Sequence, residues 1–271
     1  MFTRPYRCAS HMALVLLLAT LLSTGYAAAA LPVNDLLEKA TQGDADAQNT
    51  LGWCYENGEG VEQDYEKAIE WYTKAAEQGN ADAQRNLGLC YGRGYGVEKN
   101  YKKAVEWFTL AAEQGDAFAQ SELGFCYFNG NGVEKNYKKA VEWYTLAAEQ
   151  GDAFAPIGLG ICYLNGQGVA KDERKAVEWF TLAAEQGDAN AQYHLGSCYL
   201  NGKGVAKDEK KAVEWFTLAA EQGNSNAQYR LGVCYFDGEG VKKDYEKAIE
   251  WWTKAANQGD TWAQKMLKEH A

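Results

Sequence analysis

The chain has little positive charge and no long apolar run, and both shortages restrict what it can bind. Lys and Arg total 27 against 37 Asp and Glu, which gives a formal net charge of −10 at pH 7. Nucleic acids and anionic membranes attract proteins with clustered positive charge, so we expect neither as a partner. The apolar run Ala13–Leu22 is ten residues long, whereas a transmembrane helix needs about 20. We therefore expect no stable membrane insertion.

Residues 1–30 have the pattern of a secretory signal peptide. Arg4 and Arg7 form a basic start, the apolar run follows, and Tyr26–Ala30 supplies small residues at the A-x-A spacing that signal peptidase requires. We predict cleavage before Leu31 and a periplasmic or secreted mature protein. Its net charge is −12, because the signal carries two basic and no acidic residues.

Histidine and serine are also scarce, which argues against metal binding and catalysis. The mature chain contains only His194 and His270, and their spacing does not suit metal ligands. Its serines are Ser121, Ser197 and Ser225, and none has Lys three residues later, so the S-x-x-K signature of serine β-lactamases is missing. We expect no metal, no cofactor and no catalytic residue.

A 36-residue period fills the mature chain. A fixed period of about 20 to 50 residues is typical of a solenoid, in which each unit buries its apolar face only by stacking on its neighbours. One Trp, one Gly and one Cys keep this spacing through six units: Trp71, Trp107, Trp143, Trp179, Trp215 and Trp251; Gly79, Gly115, Gly151, Gly187, Gly223 and Gly259; Cys54, Cys90, Cys126, Cys162, Cys198 and Cys234.

Each unit contains the patterns of two helices, because apolar residues recur at the i, i+3, i+4, i+7 spacing of a buried helical stripe. In the first unit the stripe of the second helix is Tyr65, Ala68, Ile69, Tyr72, Ala75 and Ala76, and that of the first helix is Gln48, Leu51, Gly52 and Tyr55. N-cap residues are expected before the second helices at Asp64, Asn100, Asn136, Asp172, Asp208 and Asp244.

Glycines mark both turns of the unit. Gly79 can end the second helix with a positive φ. The turn Asn57–Val61 joins the two helices and carries two glycines. It follows a helix, whereas a phosphate-binding loop follows a strand, so we interpret it as a turn that needs unusual φ angles and close backbone approach.

These motifs resemble the Sel1-like repeat, a relative of the tetratricopeptide repeat. The pattern A-x-x-x-L-G-x-x-Y-x-x-G-x-G-V followed by K-A-x-x-W-[YF]-x-x-A-A-x-x-G is matched at Ala83, Leu87, Gly88, Tyr91, Gly94, Gly96, Val97, Lys103, Ala104, Trp107, Phe108, Ala111, Ala112 and Gly115. The resemblance covers 44–259 and implies an all-α fold, an α/α right-handed superhelix or solenoid of six helix-turn-helix repeats. Residues 31–43 and 260–271 resemble capping helices.

The resemblance also implies an adaptor for other proteins, with the first helices on the concave face. Positions opposite the buried stripe of those helices differ most between units, and in the third and fourth units seven of eight are apolar. Exposed apolar patches mark binding sites. We hypothesise a groove for a protein or peptide partner, lined by Leu89, Phe118, Phe125, Phe128, Phe154, Ile157, Ile161 and Leu164, with Arg85, Arg93, Tyr193 and Tyr229 on its rim.

Two alternatives remain open at this point. Phe125, Phe128, Ile161 and Leu164 could instead pack between neighbouring first helices as core. Secreted cysteine-rich members of the family are linked to penicillin binding and β-lactamase-like activity, which makes a weak hydrolase the alternative function. Their paired cysteines match Ala76 and Gln84 here, so that disulfide staple is missing.

The six mature cysteines occupy one equivalent position in the repeat. A disulfide between neighbouring units would have to join stacked helices about 8 to 10 Å apart, whereas it needs Cα atoms within about 7 Å. We predict six buried free thiols that act as small apolar side chains. Thiol titration of the denatured mature protein is expected to count six free thiols per chain. A count of zero would contradict this prediction.

Overall fold

The computed structural model describes residues 33–270, where every regular element is a helix. The predicted fold class, an all-α superhelix of helix-turn-helix repeats, is confirmed. The signal peptide predicted for 1–30 lies outside the described residues. The helices are α1 (Val33–Thr41), α2 (Ala45–Asn57), α3 (Tyr65–Glu77), α4 (Ala81–Arg93), α5 (Tyr101–Glu113), α6 (Ala117–Asn129), α7 (Tyr137–Glu149), α8 (Ala155–Asn165), α9 (Glu173–Glu185), α10 (Ala189–Asn201), α11 (Glu209–Glu221), α12 (Ser225–Asp237), α13 (Tyr245–Asn257) and α14 (Thr261–His270).

The described helices belong to two compact units. The first unit contains α1–α7 and the start of α8 up to Gly158, and the second begins at Leu159 and continues through α14. Within each unit the pattern is the same: a first helix packs against the second helix of its own repeat and against the second helix of the repeat before it.

Side-chain caps define where the helices begin. Asn80 Oδ1 accepts a hydrogen bond from the backbone N–H of Ala83 at 2.9 Å, before α4. Asn100 Oδ1 accepts one from Lys103 at 3.0 Å, before α5. These bonds satisfy N–H groups that the first turn leaves unpaired. The N-caps predicted before all six second helices are confirmed.

The glycine-rich turn brings two backbones together. Gly94 ends α4 with a φ of 79°, and Gly96 has a φ of 64°. A Cβ atom at Gly96 would lie 2.6 Å from the carbonyl carbon of Tyr65 in the preceding repeat. The predicted unusual φ angles and close approach are therefore confirmed, and the contact holds each turn against the start of the preceding second helix.

Within a repeat, one aromatic ring of the second helix packs against a glycine of the first helix. A Cβ atom at Gly88 would lie 2.6 Å from the Phe108 ring, so any larger residue would push the two helices apart. All six rings are buried. The pairs are Gly52 with Tyr72, Gly88 with Phe108, Gly124 with Tyr144, Gly160 with Phe180, Gly196 with Phe216, and Gly232 with Trp252.

Between repeats, the core forms from the second helix of one repeat and the first helix of the next. Ala68 and Tyr72 of α3 cluster with Leu87 and Cys90 of α4, and Trp107 of α5 packs on their edge. The recurring Trp is thus a half-buried packing residue, and the recurring Leu and Cys are buried with it. All six mature cysteines are buried free thiols, as predicted. Burial raises the pKa of the Cys90 thiol to about 12, and the nearby Glu56 carboxylate makes a smaller contribution in the same direction.

A glutamine ladder links consecutive repeats. Buried Gln84 donates through Nε2 to the Ala76 carbonyl at 3.1 Å, and its Oε1 accepts from Gln114 Nε2 at 2.7 Å. Pro156 takes the place of Gln84 in the fourth repeat, inside the first turn of α8 as predicted. Proline can make neither bond, and α8 has 11 residues where the other first helices have 13.

Tyr65 is more exposed than its sequence pattern predicts. The apolar spacing predicts that it belongs to the buried stripe of the second helix, but its side chain is 36% exposed. Tyr65 is the first residue of α3, and its ring packs on Tyr95 of the following turn with centroids 5.5 Å apart. The other five residues of that stripe are buried.

Two glycines of α4 provide a direct test of the ring contact. Gly88→Ala is expected to destabilise the protein by about 1 to 3 kcal/mol, because the new Cβ atom would clash with Phe108. Gly92→Ala is the matched control, since its Cβ atom would lie 3.7 Å from Ala104. Alanine there should be neutral or stabilise the helix by about 0.5 to 1 kcal/mol. Urea unfolding of both variants measures the difference, and equal stabilities would show that the ring contact does not limit packing.

Candidate partner-binding face

Hydrogen bonds join neighbouring first helices within each unit. We call the side opposite their buried stripes the first-helix face. Asn86 Nδ2 of α4 donates to Asn49 Oδ1 of α2 at 3.1 Å, and Asn80 Nδ2 donates to Asp46 Oδ1 at 2.8 Å. These polar contacts join neighbouring first helices, and so does the ion pair between Arg85 and Asp116.

Arg85, predicted on the rim of the groove, is held by two carboxylates of the protein itself. Its guanidinium lies 2.8 Å from Asp82 and 2.7 Å from Asp116, the N-cap of α6. The contact with Asp116 ties α4 to the next repeat. Arg85 therefore has a structural role. Arg93 on the same helix is exposed, and its guanidinium lies 5.9 Å from the Tyr95 ring centroid.

None of the twelve predicted groove residues is buried. Arg93 and Phe154 are exposed, Phe154 at 36%. The other ten are half-buried: Arg85, Leu89, Phe118, Phe125, Phe128, Ile157, Ile161, Leu164, Tyr193 and Tyr229. This burial fits side chains on a grooved surface, each with part of its area against the protein and part accessible.

Some predicted residues also support the scaffold. Leu89 packs on the core of the following repeat. Phe128 contacts Tyr137 edge to face, with ring centroids 5.2 Å apart. In the second unit, Tyr193 and Tyr229 pack against the core clusters of their neighbours.

Ser121 and Asp152 connect α6 to the turn before α8 within the first unit. Ser121 is buried, although its position lies on the first-helix face, and its hydroxyl hydrogen-bonds to the Asp152 carboxylate. Asp152 also accepts from the backbone N–H of Phe154 at 2.9 Å and of Ala155 at 2.7 Å. Burial raises the pKa of Asp152, and these hydrogen bonds offset only part of that effect. The pair occupies the same repeat positions as Arg85 and Asp116, but Ser replaces Arg, so no recurring residue type indicates the contact.

The first-helix face of the first unit changes from polar to apolar along the chain. At one outward position α2 and α4 carry Asp46 and Asp82, both exposed, whereas α6 and the segment before α8 carry Phe118 and Phe154. Trp53 on α2, which was not among the predicted groove residues, is 47% exposed. The first-helix face of this unit therefore leaves apolar side chains accessible to solvent.

Among the described residues, no cluster of metal-binding side chains lies on this face. Nowhere in 33–270 do three or more His, Cys, Asp or Glu side chains come together in a way that could hold an ion. No helix in the same range has the length and apolar character to cross a bilayer.

A cation–π contact that the sequence pattern does not predict recurs in every repeat. The Lys of the K-A motif lies over the Tyr of the L-G-x-x-Y motif in every repeat, as with Lys103 Nζ at 4.9 Å from the Tyr91 ring centroid. The same pair recurs at 5.1 to 5.4 Å in the other five repeats. The Lys and the Tyr both recur at the repeat spacing, but only the fold shows that their side chains are in contact.

Six pairs of helices with one packing scheme define an α-helical repeat protein. The Sel1 repeat model matches residues 45–80, 81–116, 117–152, 155–188, 189–224 and 225–260. These matches cover well over half of the sequence, so the chain belongs to the Sel1 repeat family.

Two solved structures illustrate the similarity. The protein c5321, a protective antigen present in uropathogenic Escherichia coli strains that displays an SLR fold, is 42% identical with a TM-score of 0.76, over 87% of this chain and 50% of its own. This chain thus aligns with half the length of that protein. A Sel1 repeat protein from Oxalobacter formigenes is 38% identical with a TM-score of 0.76, over 91% of this chain and 96% of its own. Among curated protein sequences, none matches this chain.

His194 of α10 gives the second unit a pH-dependent stability. Its ring stacks on Phe180 with centroids 4.9 Å apart, and burial lowers its pKa from 6.5 to about 4. The folded protein therefore favours neutral imidazole, so the contribution is complete above pH 6.5 and is lost as pH falls toward 4. Lowering the pH to about 5 should cost about 2 kcal/mol of unfolding free energy through this residue.

The matched variant is His194→Asn, because Asn86 occupies the same position in the second repeat. Urea unfolding at neutral and acidic pH measures the loss for both proteins. The variant should lose less stability than the wild type, and equal losses would contradict the assignment to His194.

Proposed function

We propose that this protein is an exported adaptor that binds a segment of a partner protein on its first-helix face. The centre of the site in the first unit is the apolar surface of α6 and the start of α8. The observation that carries the proposal is the accessibility of Phe118, Phe125, Phe128, Phe154 and Ile157, none of which is buried. Sel1 repeats provide a scaffold typical of protein–protein interaction, which supports this proposal.

The fold does not require apolar residues at these positions. Phe118 and Phe154 correspond to Asp46 and Asp82, which the same scaffold accepts. A solvent-facing position that is polar in two repeats and aromatic in the next two is explained better by binding than by folding. Exposed apolar surface beside polar residues supports the same conclusion.

The chemistry of the face suggests the kind of partner segment. The aromatic and aliphatic side chains would receive apolar side chains of an extended or helical segment. Arg93 would meet a carboxylate at one end, since its guanidinium is exposed. In the second unit, considered by itself, Ile161, Leu164, Tyr193 and Tyr229 also have half-buried side chains.

Export rests on the predicted signal peptide at 1–30, which places the mature protein in the periplasm or outside the cell. The similar Escherichia coli protein is a protective antigen, and this property fits an exported protein.

The hydrolase alternative gains no support from the candidate nucleophiles. The six mature thiols are buried, and their raised pKa values disfavour the reactive thiolate. The Ser121 hydroxyl is buried and hydrogen-bonded to Asp152.

A pull-down with the mature protein tests the adaptor function. The double variant Phe118→Asp, Ile157→Asp should lose a partner that the wild type retains from periplasmic or secreted extract, because two carboxylates would be desolvated in the interface. Its circular dichroism and melting temperature should match the wild type, since both positions accept polar residues in other repeats.

The matched control is Asn34→Asp, Thr261→Asp, which adds the same charge at exposed positions in the first turns of α1 and α14. Negative charge is favourable there, so the control should fold and retain the partner. Equal recovery with all three proteins would exclude the first-helix face as the binding site.

A further inference from the structure

Four second helices carry an exposed leucine at one equivalent position. Leu110, Leu146, Leu182 and Leu218 are 44%, 44%, 42% and 45% exposed. The first and sixth repeats carry Lys74 and Lys254 there instead. Single exposed leucines are ordinary, but here they recur in four consecutive repeats and stop at both ends. We call Leu110 and Leu146, which belong to the same compact unit, the outer leucines.

The scaffold does not need these leucines. Lys74 Nζ lies 4.1 Å from the Trp71 ring centroid, and Lys254 Nζ lies 4.0 Å from that of Trp251. A polar side chain therefore fits at this position, over the Trp three residues earlier in the helix. Leu110 follows Trp107 at the same spacing, so each leucine adds apolar surface next to a half-buried Trp.

Exposed carboxylates border each leucine. Glu106 precedes Leu110 by four residues and Glu113 follows it by three, which places both beside it on the helix surface. In the sixth repeat the lysine at the leucine position neutralises the preceding carboxylate, because Lys254 and Glu250 form an ion pair of 2.7 Å. Leucine cannot form such an ion pair, so exposed Glu106 and its equivalents have no lysine at that position to pair with.

We propose that the outer leucines dock a basic amphipathic helix of a partner protein, on a surface separate from the first-helix face. The helix would place an apolar i, i+3, i+4, i+7 stripe on the leucines and Lys or Arg against the bordering glutamates. A second copy of this chain would bring two glutamate-bordered surfaces together, and an anionic membrane would oppose like charges, so charge complementarity favours a basic partner.

Binding of a synthetic Leu/Lys amphipathic helix of about three turns tests the proposal. Fluorescence anisotropy of the labelled peptide is measured with mature protein at low and high salt. Changing both outer leucines to Gln keeps the charge and should weaken binding at least tenfold. Lys74→Leu should strengthen it several-fold, because it extends the row of leucines by one repeat. Equal binding of the Gln variant and the wild type would overturn the proposal.

A charge-matched pair of variants separates specific docking from general attraction to an acidic protein. Glu106→Gln with Glu142→Gln removes two carboxylates beside the leucines and should weaken binding several-fold. Glu98→Gln with Glu134→Gln removes two exposed carboxylates from the turns and should change binding less than twofold. Equal effects of the two pairs would count against docking at the leucines.

Three further outcomes would identify a different binding surface or a different occupant. Loss of peptide binding in the Phe118→Asp, Ile157→Asp variant would place the peptide on the first-helix face. Sedimentation of a wild-type dimer that the Gln variant loses would identify a second copy as the occupant. Binding to phosphatidylglycerol vesicles that the Gln variant loses would identify a membrane. Each would overturn this proposal and leave the proposed adaptor function to its own test.

Discussion

The contact between one aromatic ring and one glycine holds each repeat together, and the rest of the scaffold depends on it. The Phe108 ring fills the space where a Cβ atom of Gly88 would be, so α4 and α5 approach more closely than larger residues would permit. This approach fixes the side of the first helix that faces inward. It also brings Leu87 and Cys90 into the shared core with the preceding repeat. The opposite side packs only in part, through residues such as Leu89, and it differs from repeat to repeat.

The two proposed surfaces are centred on positions where the repeats carry either polar or apolar residues. On the first-helix face, one position changes from Asp46 and Asp82 to Phe118 and Phe154 without altering the fold. On the second helices, leucine replaces a lysine that serves equally well in the terminal repeats. In a helical repeat protein the scaffold and the binding surfaces can therefore vary separately, because each repeat contacts only its neighbours.

Sequence periodicity predicted the helices, their caps, the glycine turns and the buried thiols, because each depends on local spacing that recurs in every unit. It did not predict the side-chain contacts between neighbouring first helices. Arg85 meets Asp116 across 31 residues of sequence, and Ser121 meets Asp152 at the equivalent positions of the next repeat. Because Ser replaces Arg, no recurring residue type marks the contact. Tyr65 fits the helical stripe, which predicts a core residue, but it is the first residue of α3 and its ring packs on Tyr95 of the next repeat's turn instead.

Amide hydrogen exchange with a captured partner segment bound tests the central claim most directly, since it locates the contact without any substitution. The account predicts slower exchange in the peptides that cover α6 and α8, with little change in α5 and α7, whose inner faces are already buried in the free protein. Protection confined to the second helices, with α6 and α8 unchanged, would contradict a binding site on the first-helix face.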